Sequence, residues 1–458
     1  MGFEVTSVLK QWRSLFALWV GRSVGRILRL IGRRGTSLPG FLATRLSPDL
    51  LFHLLSQLQT CIIVTGTNGK TTTNALLYSI LSSSESPWIT NKDGANLVQG
   101  LLAALLPHVT SGGKLQIQKA VLEVDEATLP RIVDHFHPTM IIVTNVVRDQ
   151  LDRYGEVDHA LAMLRRGISY PGIQLIVNAD DPLAASLGIG RELTYFYGMD
   201  ECPIDRQERN EVKDGAFCLL CGREIEYTRT IYGQFGHYAC PSGDFIRPVP
   251  EYAGILEKGI PELTVVRRKS GVEAERFRVK APVLGLYNYY NLLAAVTVAQ
   301  ILGVSPYKIE NALTNYEAPL GRMQVYSGRT KRILALIKNP TGANSILRTI
   351  ETDELVKIIC FAINDGDADG RDVSWLWDID IESFLDQANC TQYYCAGHRA
   401  LDMALRLAYA GVERERIVVL DTLSDIVTVT DEGQAPVYIL STYTALYPLG
   451  IHLREATQ

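Results

Sequence analysis

The sequence predicts an α/β protein: a phosphate-loop central domain interrupted by a zinc-ribbon-like subdomain, then a Rossmann-like α/β C-terminal domain. Three observations carry this. From about residue 58, short apolar runs alternate with helical segments, the pattern of a parallel sheet wrapped by helices. The first run, CIIVT, passes directly into Gly66-Thr67-Asn68-Gly69-Lys70-Thr71-Thr72 and then into a helix. A cysteine-bearing stretch at about 198–250 breaks the rhythm, and a second set of strand-like runs begins after Gly321.

The chain has 458 residues, enough for two to four domains at roughly 100–200 residues each. The pattern divides it into a basic helix and connector (1–45), a nucleotide-binding unit (46–320) and a C-terminal unit (321–458). Apolar residues make up 47% and charged residues 21%, so most of the chain folds. A net charge of −5 excludes a whole-surface basic footprint for nucleic acid. No apolar run reaches the ~18 residues of a membrane span. Eight cysteines without a signal peptide do not read as a disulfide framework, and a cytoplasmic setting is expected.

The first 34 residues hold Lys10, Arg13, Arg22, Arg26, Arg29, Arg33 and Arg34 against one acid, Glu4. Arg22, Arg26, Arg29 and Arg33 share one face of a helix, and Phe16, Val20, Val24, Ile27 and Ile31 line another. Two readings stand: a docking helix with a solvated basic face, or a helix resting on the anionic inner face of the cell membrane.

The strands are expected at Cys61–Thr65, Ala120–Val124, Met140–Thr144 and Gln174–Asn178. Ligands of open α/β sheets sit at the carboxyl ends of the strands, so the polar clusters there converge on one site. Glycines let the loop backbone curl its N–H groups toward an anion, and the helix start adds its positive end. Thr67, Asn68, Gly69, Lys70, Thr71 and Thr72 are therefore candidate ATP-binding residues. Lys70 supplies the charge for the β/γ phosphates and Thr71 a hydroxyl for Mg²⁺. Glu123, at the end of the second strand, is the candidate second Mg²⁺ ligand, because hard cations take oxygen donors. The fourth strand ends in Asn178-Ala179-Asp180-Asp181, which adds Asn178 and Asp180.

Cys218 and Cys221 have the C-x₂-C spacing of half a zinc ribbon, and Cys240 follows. The usual fourth cysteine is absent, leaving Cys202, His237 or Asp244 to complete a Zn²⁺ site. In the C-terminal unit, strands are expected at Ile333–Ile337, Ile358–Ile363, Gln392–Ala396, Ile417–Leu420 and Val437–Ser441. The segment Asn364–Asp378 packs five acids from Asp365 to Asp378 around two glycines and two tryptophans at a strand end. Cys395 and His398 are close in sequence but lack a nucleophile turn, so no glutaminase is evident.

The order GTNGKTT, LEVDE, TNVVRDQLDRYGE, NADD, GLYNYYN and Gly321-Arg322 resembles the Mur ligase superfamily over the central and C-terminal domains. That resemblance implies formation of an acyl phosphate from a carboxylate and ATP, then an amide. It places Asn288 and Asn291 near the nucleotide base and Arg322 near the γ-phosphate. Three positions depart from the pattern. The uridine-binding N-terminal domain is missing, Gln150 replaces a metal-binding histidine, and Arg165 stands where amino-acid-adding members carry a modified lysine. With NP-x-G-x-N at Asn339–Asn344 and the ADGRDVSW run ending at Trp375, the chain resembles the MurT family. This implies amidation of the D-glutamate α-carboxyl of lipid II with a GatD-type glutamine amidotransferase partner. Asp372 would complete that partner's Cys–His pair. An amino-acid-adding ligase and a zinc-ribbon interaction protein are the competing readings.

Overall fold

The computed structural model describes residues 2–32, 35–83, 86–91, 94–148, 157–203, 213–257, 260–431 and 435–457, with the backbone alone for 2–11. Gln150, Arg33 and Arg34 lie outside these residues, as do the side chains of Glu4 and Lys10.

The central strands are β1 (Thr60–Thr65), β2 (Ile89–Thr90), β3 (Lys119–Glu123), β4 (Met140–Val143) and β5 (Gln174–Asn178). Their runs are continuously apolar rather than alternating, as strands covered on both faces require. β1 lies between β3 and β4, all parallel, with Ile63 beside Leu122 and Ile62 beside Met140. Alternate residues serve two cores. Cys61 and Ile63 pack with Leu18, Leu54 and Leu102 of the N-terminal helices and the helix Val98–Leu105. Ile62 and Val64 pack with Leu76, Leu77 and the helix Leu286–Ile301.

Beyond β5 come β6 (Thr194–Glu201), a separate hairpin β7 (Glu226–Tyr232) and β8 (Phe235–Ala239), then β9 (Tyr252–Leu256), β10 (Glu262–Lys269) and β11 (Val272–Lys280). The nine-stranded sheet has the order β11-β10-β9-β6-β5-β4-β1-β3-β2. It is mixed, because β10 runs antiparallel to both β9 and β11. These added strands were not expected. Their signal is local: Ser270 and Gly271 both take positive φ, 51° and 78°, the twist a two-residue hairpin needs.

The C-terminal unit is a six-stranded sheet of β12 (Arg322–Ser327), β13 (Lys331–Leu336), β14 (Lys357–Ala362), β15 (Cys390–Ala396), β16 (Ile417–Val419) and β17 (Val437–Ser441), ordered β12-β13-β17-β14-β15-β16. Only β12–β13 is antiparallel.

The N-terminal helix Gly2–Leu30 docks by a face other than its basic and apolar stripes. Its small side faces inward, with Ala17, Leu18 and Gly21 buried. A Cβ at Gly21 would lie 2.7 Å from Leu106 Cδ1 and 3.1 Å from the Pro39 carbonyl. That approach is open only to glycine, so the small face wins the contact. Trp12, Phe16, Trp19, Ile27 and Leu30 are left 58–86% exposed. Among the described residues no helix is long and apolar enough to cross a membrane.

Candidate active site

β1 delivers the phosphate loop to the start of the helix Lys70–Ser82. Gly66 and Gly69 have φ of 111° and 85°. A Cβ at Gly69 would stand 2.1 Å from Asn291 Oδ1, so this turn admits no side chain. Asn145 clamps the loop: its Oδ1 accepts from the Asn68 N–H at 2.9 Å and its Nδ2 donates to the Asn68 carbonyl at 2.8 Å. Thr67 Oγ1 donates to the Val147 carbonyl at 3.1 Å. The loop is thus rigid before any ligand arrives.

Lys70 Nζ donates to the Gly66 carbonyl at 2.5 Å and to Glu126 Oε1 at 3.0 Å. Burial pushes the Glu126 carboxyl above its ordinary range, and Lys70 opposes that shift. The buried Glu126 carboxylate thus holds the Lys70 ammonium in the loop mouth. Glu126 was not singled out from sequence, although it sits one residue past Asp125.

The loop opens into a cavity of about 480 Å³ lined by Thr67–Thr71, Glu123, Asp125, Arg322, Lys338 and Asp369, among others. Glu123 is buried, with Oε1 accepting from Asn96 Nδ2 at 3.0 Å. Thr71 and Glu123 share this cavity, so a hydroxyl and a carboxylate are available to a hard cation. Arg322 Nε is a buried donor with no protein partner. An anion would satisfy it. An aromatic recess beside the cavity is lined by Thr72, Asn178, Tyr232, Phe235 and Asn291, with Arg322 shared between the two.

The C-terminal unit closes on the loop through contacts absent from the expectation. Lys338 Nζ donates to the Thr67 carbonyl at 3.2 Å. Asn339 and Asn68 exchange amide hydrogen bonds at 3.2 and 3.1 Å.

Three expected site residues lie elsewhere. Asp180 is fully buried and accepts from Arg247 Nε and the Tyr290 hydroxyl, both at 2.6 Å, and from the Met199 N–H at 2.7 Å. It ties β5 to β6 and the helix Leu286–Ile301, and it does not line the cavity. Asn288 bonds the Leu284 carbonyl and accepts from Asn291 Nδ2 at 3.1 Å, so it holds Asn291 instead of facing the recess. Cys202 is packed in the core with Tyr290 and is not part of the thiol group.

That group is Cys218, Cys221 and Cys240, whose sulfurs all lie within 4.8 Å of one another. Burial raises the Cys240 pKa, but Ser242 and Cys221 bond its sulfur and the net shift is downward. Thiolates at this spacing fit a soft-to-borderline metal. His237 Nε2 is engaged with the Met199 carbonyl at 2.8 Å, and Asp244 is outside the group. The group therefore supplies three of the four donors of a closed structural site, and the zinc-ribbon reading stays incomplete.

Asp372 lies apart from the cavity, exposed on the Asn364–Asp378 loop. Its Oδ1 accepts from the Ser374 N–H at 2.8 Å, and that bond holds its carboxyl below the usual range. Three residues earlier, Asp369 lines the cavity and accepts from the Thr444 N–H at 2.7 Å and the Gly366 N–H at 3.0 Å. One loop thus presents an acid to each side.

Residues 336–446 match the family described as MurT ligase C-terminal, and residues 64–238 that described as Mur ligase middle domain. A subunit MurT of lipid II isoglutaminyl synthase (glutamine-hydrolyzing) from Staphylococcus aureus (strain COL) is 34% identical over 442 residues, 96% of this chain and 97% of that protein. The chain belongs to the MurT family. A second MurT, from Streptococcus pneumoniae (strain ATCC BAA-255 / R6), is 33% identical over 438 residues, 95% of each chain. Among solved structures, a pseudomurein peptide ligase type C from Methanothermus fervidus superposes with a TM-score of 0.67 at 21% identity, covering 90% of this chain and 81% of that one. MurF ligase from Thermotoga maritima in complex with ADP gives 0.60 at 12% identity, covering 92% and 84%. These two show the Mur ligase fold in this MurT-family chain.

Proposed function

We propose that this chain is the ATP-dependent ligase subunit of a lipid II isoglutaminyl synthase. The α-carboxylate of D-glutamate in the stem peptide takes the γ-phosphoryl group of ATP, ADP leaves, ammonia attacks the acyl carbon and phosphate departs. The observation that carries this is one cavity joining a rigid phosphate loop, two oxygen donors and the unpartnered Arg322, in a chain without a competent cysteine nucleophile. Burial pushes the Cys395 thiol up to about 12, beyond use as a thiolate at neutral pH. Cys221, the exposed cysteine, belongs to the thiol group. Ammonia must then come from a GatD-type partner.

The loop residues Thr67–Thr72, with Lys70 and Arg322, hold the phosphates. Asn178 and Asn291 border the recess for the base, and Asp180 and Asn288 act by positioning. Thr71 and Glu123 would hold Mg²⁺, which when bound neutralises phosphate charge. Asp372 faces the partner.

The outward stripe of the N-terminal helix supports a seat at the cytoplasmic face of the membrane. Each buried aromatic ring contributes up to ~1.5–3 kcal/mol, and each arginine near an anionic surface about 1 kcal/mol. The test combines the chain, its partner, ATP and glutamine with lipid II in anionic vesicles. Amidated lipid II, one glutamate and one ADP per turnover are expected, with both subunits floating with the vesicles. Absence of amidation sinks the ligase reading. A chain that stays off the vesicles sinks the membrane seat.

For the thiol group, about one zinc per chain is expected, released by Cys218→Ser and retained in Cys202→Ser. Elemental analysis of the purified variants checks this. A native protein free of metal overturns it.

A further inference from the structure

The same N-terminal helix bounds a second cleft, of about 880 Å³, formed against the helix Val98–Leu105 and the connector at Gly35–Pro39. Small residues make up much of its walls: Gly21, Gly25, Gly100, Ala103 and Ala104 all line it. Arg22, Arg26 and Arg29 line it at helical spacing beside His108, whose pKa burial lowers, and among the described residues no lining group is acidic. Arg29 Nε donates to the Gly25 carbonyl at 3.1 Å, which steadies its guanidinium. Arginine forks match phosphate oxygens in geometry as well as in charge.

The cleft adjoins the ligase cavity. Ala95 and Gly100 belong to the walls of both cavities. A molecule lying in the cleft can therefore reach across the 94–100 segment to the phosphate loop. On the outer side, the same helix exposes Trp12, Phe16, Trp19, Ile27 and Leu30, the composition of an interfacial helix. The exposed apolar stripe, the three arginines and the ligase cavity thus lie in sequence around the same helix.

We propose that the cleft lined by Arg22, Arg26 and Arg29 is the subsite for the diphosphate that joins the sugar of the membrane-anchored substrate to its lipid. This rests on the ligase reading above and adds where the substrate is gripped. The diphosphate binds in the cleft, and the peptide carboxylate is thereby delivered to Lys70 and Arg322. In this chain the N-terminal helix supplies the anion grip.

The test uses the full chain with a non-hydrolysable ATP analogue filling the phosphate loop. Two soluble probes are titrated: a uridine-diphosphate-linked muramoyl pentapeptide and the same muramoyl pentapeptide without the diphosphate. Arg22→Ala/Arg26→Ala should weaken the first at least tenfold and the second less than twofold. Arg22→Lys/Arg26→Lys should recover most of the loss, and an unchanged melting temperature excludes unfolding. With partner and ammonium, the alanine variant should raise KM for lipid II at nearly constant kcat. Flotation on substrate-free phosphatidylglycerol vesicles separates the alternative source of phosphate. Loss of vesicle binding with unchanged affinity for the diphosphate probe assigns the arginines to bilayer headgroups and overturns the proposal. Equal loss on both probes, no loss on either, or a wild-type chain that binds neither also overturns it. Selective binding without any amidation would leave the subsite standing and remove the ligase reading instead.

Discussion

Lys70→Ala is expected to reduce ATP-dependent amidation by about 10²–10³, with glutamine or ammonium as nitrogen source. Removing a preorganised donor from a water-excluded site costs roughly 2.7–4 kcal/mol of transition-state stabilisation, and each 1.36 kcal/mol is about tenfold in rate. Lys70 is held by the Gly66 carbonyl and by Glu126, so its position is set before ATP binds. The variant also strands Glu126, a buried carboxylate whose pKa burial already raises. An uncompensated buried charge costs about 3–5 kcal/mol, but here the group takes a proton instead. A folded pKa above the unfolded value means the native state binds more protons. The variant's stability should therefore fall as pH rises from the ordinary glutamate range toward the raised value, then level off. Lys70→Ala/Glu126→Gln should recover the stability and none of the activity. Steady-state assays and melting curves across pH check both halves. Wild-type turnover in Lys70→Ala would remove Lys70 from the chemistry.

The phosphate loop is legible because its constraints are local. Positive φ demands glycine at 66 and 69, a strand precedes them, and a lysine and a helix start follow at fixed spacing. The strands of both sheets are legible where they are covered on both faces, as in β1. Polar residues at strand ends are less so: Asn178 and Asp180 occupy similar places in sequence, yet one lines the recess and the other ties three elements together. Nothing in the local sequence says which way a carboxylate turns. Lys338 and Asn339 reach the loop from 271 residues away, a contact no periodicity encodes. The docking face of the N-terminal helix is hidden for a different reason. The apolar face marks the core only when the neighbour is distant enough for large side chains, and Gly21 brings the backbones too close for that.

Asp372→Asn is expected to separate the two half-reactions. We place this acid against the partner's Cys–His pair, where a carboxylate fixes the imidazole tautomer and stabilises the imidazolium. An amide of the same shape does neither, and such a change costs about 10⁴ in rate in an acid–His–nucleophile triad. Glutamate release by the complex should collapse by that order. Amidation fed by concentrated ammonium should persist within a few-fold, because the phosphate loop, Arg322 and Lys338 are untouched. The exposed position of Asp372 and its bond from the Ser374 N–H keep it ionised and outward, away from the cavity. The loop adds a second consequence. Asp369, anchored on Thr444, lines the cavity, so Asp369→Asn should impair amidation from either nitrogen source while sparing more of the glutamate release. The measurement mixes each purified variant with wild-type partner and follows glutamate and amidated lipid II separately, with glutamine and with ammonium. Normal glutamate release in Asp372→Asn removes the triad role. Loss of ammonium-fed amidation in an intact Asp372→Asn complex moves this acid into the ligase site, on the same side of the loop as Asp369.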